Sequence, residues 1–262
     1  MSRGSGTRWD AAQYARFRDE RARPFFDLLA AVPDVEVRGA ADLGCGSGEM
    51  TRLLLERWPG AEVWGVDDSA EMLSRARAAP APPGLHFVQE DLRNWRPPRP
   101  LDLILSNAAL QWVPDHGPLL QSLAGRLAPA GILAVQVPNN RGEAAYRILD
   151  GLLADPSWVK RLPPGLHRTA IESPSFYDER LLALGFRVRM WETIYHHRLA
   201  SPAEIVEWLK GPTLRPILSA LPAQDASEFL AALALRIASA YPGGPHGVVF
   251  PFRRLFFIAR RT

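Results

Sequence analysis

Apolar positions between Val37 and Val137 alternate between short strand-like runs and longer stretches with helical spacing. The short runs predict five strands, at 37–43, 61–66, 85–90, 101–106 and 131–137. The longer stretches predict helices at 49–58, through Met72 and Leu73, and through Leu119, Leu120, Leu123 and Leu127. Strands and helices that alternate in this way form right-handed βαβ units, so the pattern predicts a mostly parallel sheet.

The flanking segments add further elements to this core. Residues 10–23 have helical spacing, and Pro24 suits the first turn of a second helix. After the core, the pattern predicts a helix at 176–185, a strand at 186–199, a helical stretch at 201–241 and a strand at 248–261. We therefore expect one α/β domain over 1–262, with seven strands flanked by helices and an antiparallel last strand. Its expected parts are an N-terminal helical lid at 1–36, a ligand-binding core at 37–137 and a helical cap inserted at 201–242.

Composition narrows the possible classes of protein. The chain has 262 residues, of which 47% are hydrophobic, and this is enough for a sizeable core. Its net charge is only +3, and its arginines are scattered rather than grouped in runs, which argues against a nucleic-acid partner. Cys45 is the only cysteine, so an intrachain disulfide and a cysteine-based zinc site are excluded.

The first ten residues have no apolar segment typical of a signal peptide. No stretch approaches the ~20 apolar residues that a membrane-spanning helix needs. We therefore expect a cytoplasmic protein without a membrane partner. The sequence leaves the oligomeric state open.

The stretch ADLGCGSGEM, at 41–50, places three glycines between a predicted strand and a predicted helix. A glycine turn at this point directs backbone N–H groups and the positive end of the helix towards a ligand. Asp42 stands directly before the turn, where it would repel a pyrophosphate and attract an ammonium group. Asp67 follows the second strand, at a distance typical of acids that bind ribose hydroxyls. Asp91 follows the third strand, where it can accept from an adenine amine.

The glycine spacing excludes two common nucleotide motifs. Glu49 occupies the position after Gly48, so the pattern is not the G-x-G-x-x-G of dinucleotide enzymes. No Gly-Lys-Ser/Thr follows, so the turn is not a P-loop.

The motifs DLGCGSG, VDDS, QEDL and LSNAALQW, in this order and at these separations, resemble those of the class I S-adenosylmethionine-dependent methyltransferases. The resemblance implies a Rossmann-like fold, S-adenosylmethionine as cofactor and S-adenosylhomocysteine as product. It also implies further cofactor contacts, in addition to Asp42. These are Gly44, Cys45 and Gly46 around the methionyl part, Asp67 at the ribose, Met72, Asp91 and Leu92 at the adenine, and Asn107 and Ala108 on the methionyl side.

The flanking stretches WDAAQYARFRDERARPFFDLL, LAVQVPNN, WETIYHHRL and FPFRRLFFIARR resemble the trans-aconitate 2-methyltransferases over nearly the whole chain. This resemblance implies methyl transfer to one carboxylate of trans-aconitate, which gives a monomethyl ester. It makes Trp9, Tyr14 and Arg23 candidate contacts of a lid over the cofactor. Candidates for acceptor binding are Gln111, Trp112, Tyr195, His197 and Arg254.

This chemistry needs few catalytic groups. A carboxylate with a pKa of about 4 is already the nucleophile at pH 7, so no general base is required and no catalytic residue is assigned. We interpret Cys45 as a small loop residue. No metal site is expected, because His196 and His197 point to opposite faces of a strand and have no acidic or histidine partner at useful spacing. Alternatives are methylation of another acid or of a secondary metabolite, and S-adenosylmethionine binding without turnover. The segment 141–169 carries no assignment.

Overall fold

The computed structural model describes residues 18–163, 171–211 and 213–261, which form two compact units. We call them the sheet unit, with residues 19–138, 171–193 and 254–261, and the helical unit, with residues 139–163, 194–211 and 213–253. The chain passes between them after Pro138, within strand 186–199 and within strand 248–261.

The strands are β1 Gly39–Leu43, β2 Glu62–Asp67, β3 Leu85–Gln89, β4 Leu101–Asn107, β5 Leu127–Pro138, β6 Phe186–Leu199 and β7 Val248–Arg261. The helices are α1 Arg18–Ala31, α2 Glu49–Arg57, α3 Ala70–Ala76, α4 His116–Ala124, α5 Ala144–Leu153, α6 Pro156–Val159, α7 Pro174–Ala183, α8 Pro202–Lys210, α9 Arg215–Ala220 and α10 Ala223–Ala240. A short 3-10 helix covers Leu110–Trp112.

The strands lie in the order β3-β2-β1-β4-β5-β7-β6. β1 pairs in parallel with β2 and β4, the pairs β2–β3 and β4–β5 are also parallel, and β7 is antiparallel to β5. This confirms the predicted α/β class, its mostly parallel sheet and its antiparallel last strand. The strand order reverses between β1 and β4, and ligands of such sheets bind outside the carboxyl ends of the strands at this point.

The two faces of the sheet have different surroundings. Apolar side chains of one face, such as Val135 and Phe257, pack with Leu120 of α4 and Leu181 of α7 in one buried cluster. Paired residues share a face, and the face alternates along each strand. The register pairs Asp42 with Leu105, Asn107 with Gln136, and Pro138 with Arg254, which places these side chains together on the opposite face.

Two expected element boundaries are wrong. Pro24 does not begin a new helix but lies inside α1, and burial of Phe25 and Leu28 offsets the roughly 3 kcal/mol that an internal proline costs. Leu127 does not belong to α4 but begins β5, where it pairs with Leu101 before a shift in register. Helical spacing continued by chance into the strand, and pairing with β4 decided the outcome.

The helical unit has its own apolar core. Buried residues from α5, α8 and α10, including Leu149, Ile205 and Phe229, pack into one cluster with Phe250 of β7. Besides the segment 201–242, this unit includes α5 and α6, within the stretch for which the sequence made no assignment. Over the described part of the chain, no helix is long and apolar enough to cross a membrane.

Candidate active site

The glycine turn joins β1 to α2 and uses three residues in the left-handed region. Gly44, Gly46 and Gly48 have φ of 80°, 55° and 72°, which glycine adopts at little cost. A Cβ on Gly44 would lie 2.1 Å from the Cβ of Ala109, and one on Gly48 would lie 2.5 Å from Phe87. At Gly46 no atom of the described residues lies within 4 Å of that position, so within them this glycine leaves open space beside the turn.

The backbone N–H groups of this turn are not directed at a ligand as the sequence led us to expect. Val66 O accepts from Gly44 N and Cys45 N, at 2.8 and 3.1 Å. Gly46 N donates to Asp67 Oδ2 at 2.8 Å. The turn is therefore bound to the end of β2, and these three donors are already used. The reason is tertiary, because β1 and β2 pair in parallel and bring Val66 beside the turn.

Asp67 holds the turn and retains capacity for a ligand. Its Oδ1 accepts from Ser69 N at 2.9 Å, while its Oδ2 accepts from Gly46. A carboxylate has about four acceptor positions, so capacity remains for a pair of hydroxyl donors such as a ribose diol. Partial burial raises the pKa of Asp67, and the two backbone hydrogen bonds oppose this rise.

Asp42 is buried at the end of β1, where only 3% of the residue is exposed. Its Oδ2 accepts from the Thr51 hydroxyl at 2.7 Å. Burial raises the pKa of Asp42 to about 6, helped by the negative charge of Asp67 and opposed by the Thr51 hydrogen bond. The group is therefore mostly ionised at pH 7, and it places negative charge behind the turn, where an ammonium group would be stabilised.

Cys45 is a buried, neutral thiol. Burial raises its pKa, and the neighbouring charges of Asp42 and Asp67 raise it further. The thiolate is the nucleophilic form of cysteine, and this site disfavours it. Its Sγ lies 3.1 Å from the position that a Cβ on Gly65 would take, which is consistent with a small residue packed under the turn.

The residues expected at the adenine lie at the ends of β2 and β3. Met72 is half-buried on α3, and its backbone N–H donates to Ser69 at 3.3 Å. The half-buried Asp91 already has a partner: Arg93 donates to it from the backbone N at 2.8 Å and from the guanidinium. The Arg93 hydrogen bonds hold the pKa of Asp91 below its usual range. The half-buried Leu92 packs against the apolar cluster of the sheet.

The chain bends sharply where β4 ends. Ala108 has a φ of 55°, which is rare outside glycine and is often found at functional sites. Its backbone N donates to Gln136 O at 2.9 Å, and its carbonyl accepts from Gln111 Nε2 at 2.6 Å. Asn107 Oδ1 and Gln111 Oε1 are buried and have no hydrogen-bond partner among the described residues. Trp112 is 44% exposed.

Arg254 lies in the sheet unit and is 6% exposed. It pairs in register with Pro138, and two residues further along the same face Phe256 pairs with Gln136. The predicted alternation of β7 is therefore present. Arg254 brings a buried positive charge to the face that also carries Asp42, Asn107 and Gln136.

Arg253 has a structural role within the helical unit. Its backbone N donates to Asn140 Oδ1 at 2.7 Å, and its Nε donates to Glu143 Oε1 at 3.4 Å. Its carbonyl accepts from Asn139 N at 2.9 Å. These bonds connect β7 to the turn before α5.

Tyr195 and His197 are buried in the helical unit, whereas Ile194, His196 and Arg198 are exposed. The predicted alternation of β6 is thus observed. The His197 ring stacks on Trp208 at 4.7 Å and on Tyr195 at 6.3 Å between ring centres. His197 therefore belongs to an aromatic cluster of that unit.

The lid candidates have different outcomes. Trp9 and Tyr14 lie outside the described residues. Arg23 lies on α1, and its side chain is exposed. The contacts of Arg57 with the carbonyls of Leu29 and Val32 hold the end of this helix to α2.

Sequence reasoning did not single out Gln136. Its side chain is fully buried, at 0% exposure, and neither side-chain polar atom has a hydrogen-bond partner among the described residues. Each buried polar group left in this state costs roughly 1–3 kcal/mol. In the sequence GILAVQV the only signal is one amide within an apolar strand, and that signal does not show whether the amide is satisfied.

Taken together, the sheet unit fits a nucleoside that carries an ammonium group and a cationic centre. Asp67 offers acceptor capacity for the ribose, Asp42 offers negative charge, and Asn107 Oδ1 is an acceptor without a partner in the described part of the chain. Arg254 can stabilise an anion on the same face. Among the described residues, no three His, Cys, Asp or Glu side chains group together in a way that could hold a metal ion.

Comparison with solved structures supports the fold. An S-adenosylmethionine-dependent methyltransferase from Mesorhizobium loti matches with a TM-score of 0.52 and 21% identity, over 92% of this chain and 98% of that chain. A phosphoethanolamine N-methyltransferase from Haemonchus contortus, in complex with S-adenosylhomocysteine, matches with a TM-score of 0.52 and 14% identity. That match covers 91% of this chain and 52% of that chain.

Sequence comparisons identify the family. A family profile described as a methyltransferase domain matches residues 40–131. The trans-aconitate 2-methyltransferase of Streptomyces avermitilis is 45% identical over 260 residues, covering 97% of each chain. That of Rhizobium meliloti is 44% identical and covers 97% of this chain and 99% of its own. At this identity and coverage, the chain belongs to the trans-aconitate 2-methyltransferase family.

Proposed function

We propose that this protein transfers the methyl group of S-adenosylmethionine to one carboxylate of trans-aconitate and so forms a monomethyl ester. The observation that carries this proposal is the 45% identity to a trans-aconitate 2-methyltransferase along 97% of both chains. The buried Arg254, on the face that carries Asp42 and Asn107, supports an anionic acceptor.

When bound, S-adenosylmethionine supplies a methyl group on a positively charged sulfur. An ionised carboxylate oxygen can bond to this methyl carbon and displace the sulfur without a general base. The residues of the chain bind and orient the partners. Asp67 would accept from the ribose hydroxyls, and Met72 and Leu92 would contact the adenine. Asp42 stabilises the ammonium end from behind the turn of Gly44, Cys45 and Gly46.

The acceptor side needs charge and alignment rather than proton transfer. Arg254 can donate two parallel hydrogen bonds to one acceptor carboxylate, a geometry in which guanidinium and carboxylate match. Such positioning can supply a large part of the rate enhancement when the reacting atoms are held in line. Gln111 and Trp112 stay candidates for further acceptor contacts in the sheet unit, and the roles of Tyr195 and His197 stay predictions from the sequence.

Several expectations from the sequence about substrate, partners, location and lid stay predictions. The substrate class, a small carboxylic acid, follows from the family. The absence of nucleic-acid and membrane partners, the cytoplasmic location and the lid roles of Trp9 and Arg23 stay predictions.

The proposal is tested by incubating the protein with labelled S-adenosylmethionine and a panel of di- and tricarboxylates, with and without a chelator. We expect trans-aconitate to be the best acceptor, the product to be a base-labile monomethyl ester identified by mass spectrometry, and the chelator to have no effect. A base-stable product, a different preferred acceptor, or cofactor binding without turnover would each contradict the proposal.

A further inference from the structure

The feature that the proposed reaction leaves unexplained is the buried amide of Gln136. It lies near the carboxyl end of β5 with 0% exposure, and neither Nε2 nor Oε1 has a hydrogen-bond partner within the described residues. Most buried polar side-chain atoms in proteins have a partner, so an amide with neither bond made is exceptional. A ligand that supplies the bonds would account for it.

The register shows what surrounds this amide. Gln136 pairs with Asn107 of β4 on one side and with Phe256 of β7 on the other. Asn107 Oδ1 is likewise buried without a partner among the described residues. Arg254 lies two residues from Phe256 on the same face of β7. Gln136 therefore lies between a predicted methionyl contact and the predicted anchor of the acceptor.

Strand spacing places Gln136 on the acceptor side. Neighbouring strands are about 4.8 Å apart, so β5 lies roughly 10 Å from β1, which carries Asp42, and about 14 Å from β2, which carries Asp67. A ribose held by Asp67 is thus too far across the sheet for the Gln136 amide. The amide is instead one strand away from β4 and β7.

We infer that Gln136 is a specificity-determining residue that donates a hydrogen bond from Nε2 to a carboxylate of the acceptor, next to the one held by Arg254. The inference rests on the proposed function. A neutral amide suits this position, because a second arginine or lysine beside the transferred methyl group would repel the positively charged methyl donor. An amide holds the carboxylate without adding charge.

The test replaces Gln136 by methionine, which has a similar length and no strong hydrogen-bonding group. The matched control is Gln121→Met, at an exposed position on α4. The measurements are the melting temperature, the affinity for S-adenosylhomocysteine, the KM for trans-aconitate and calorimetric binding of trans-aconitate in the presence of S-adenosylhomocysteine.

We expect Gln136→Met to melt at or above the wild-type temperature, because two unpaired polar atoms are removed. Its affinity for S-adenosylhomocysteine should stay within about twofold, while its KM and Kd for trans-aconitate should rise roughly 10-fold or more. Gln136→Glu should raise both constants further, because a carboxylate would then face a carboxylate. Gln121→Met should behave as the wild type.

An unchanged KM in Gln136→Met would overturn the inference, as would a lower melting temperature with both ligands weakened together, which is the sign of a packing role. If the wild type methylates a different acid, the proposed function fails on the wild type alone, and the same comparison with that acid decides the role of Gln136. If the wild type neither binds nor methylates any acid in the panel, both proposals are wrong.

Discussion

The carboxylate of Asp67 accepts the backbone N–H of Gly46 at 2.8 Å, and this bond ties the end of β2 to the middle of the glycine turn. One side chain thus supports the shape of the turn and keeps acceptor capacity for a ligand. The two roles are coupled, because a carboxylate fixed by two backbone donors presents its remaining positions in a defined direction.

Replacing Asp67 by alanine should weaken binding of S-adenosylmethionine by about 1–3 kcal/mol, because hydrogen bonds to a charged acceptor are lost. Asp67→Asn, which keeps one acceptor oxygen, should fall between the alanine variant and the wild type. Isothermal titration calorimetry measures both. The control is Asp68→Ala, an exposed acid next in the chain, which should change little. Unchanged affinity in Asp67→Ala would exclude this residue from the ribose site.

Asp42 should make stability depend on pH. Its pKa rises from 3.8 to about 6 on folding, so its protonated form stabilises the fold below pH 3.8, and this stabilisation is lost as pH rises through about 6. Asp42→Asn stays neutral and can still accept from Thr51. The free energy of unfolding of this variant should exceed that of the wild type by only about 0.6 kcal/mol at pH 4 and by up to about 3 kcal/mol at pH 8.

Urea denaturation of the ligand-free protein at several pH values measures this difference. Asp34→Asn, the same substitution at an exposed position, is the control for effects that do not depend on the buried site. A gain for Asp42→Asn that does not vary with pH would show that the carboxyl is not responsible. The same variant should bind S-adenosylmethionine less tightly, because the ammonium group loses its counter-charge.

Gly48→Ala should destabilise the sheet unit. The residue has a φ of 72°, and a Cβ would lie 2.5 Å from Phe87 and 2.9 Å from Ala76. The strain and overpacking should cost roughly 1–3 kcal/mol. Gly151→Ala is the control, since this glycine lies within α5 with nothing inside 4 Å, and it should raise stability by roughly 0.5–1 kcal/mol. The urea midpoint of each variant is compared with that of the wild type. A shift in the same direction for both variants would refute the role of the contact with Phe87.

Arg254→Ala should raise the KM for trans-aconitate ~10-fold or more, since about 1.4 kcal/mol corresponds to each factor of ten. The affinity for S-adenosylmethionine should hardly change. Arg254→Lys keeps the charge but loses the paired donors, so it should retain part of the activity. Steady-state kinetics, with the concentration of each substrate varied in turn, measure the KM for trans-aconitate and for S-adenosylmethionine.

The comparison with Arg253 makes this test specific. Arg253 is bonded to Glu143 and Asn140, so Arg253→Ala should lower stability with less effect on the acceptor KM. If Arg253→Ala alone reproduces the acceptor defect, the anchor has been assigned to the wrong face of β7. A defect confined to cofactor binding in Arg254→Ala would place the acceptor elsewhere.

Local patterns were sufficient to predict most of the fold, whereas the cofactor contacts came from the family resemblance and stay predictions. All seven strands were predicted near their observed positions, because period-two and helical apolar patterns are properties of neighbouring residues. The positive φ of Gly44, Gly46 and Gly48 and the alternation of Phe252 and Arg254 along β7 are equally local.

Relations between strands and segments far apart in the chain could not be predicted from local patterns, because they depend on how those segments pack. Val66 and Asp67 accept the N–H groups of Gly44, Cys45 and Gly46, and Arg253 donates to Glu143. The amide of Gln136, which has no hydrogen-bond partner among the residues that the structure describes, is another such relation, because strand pairing decides which side chains lie next to it. Local patterns in the chain predict where the backbone turns, which strand residues share a face and which side chains carry charge. The pairing of distant strands then sets which of these polar groups bond to each other within the described residues and which do not, because a hydrogen bond needs two groups brought together by the fold.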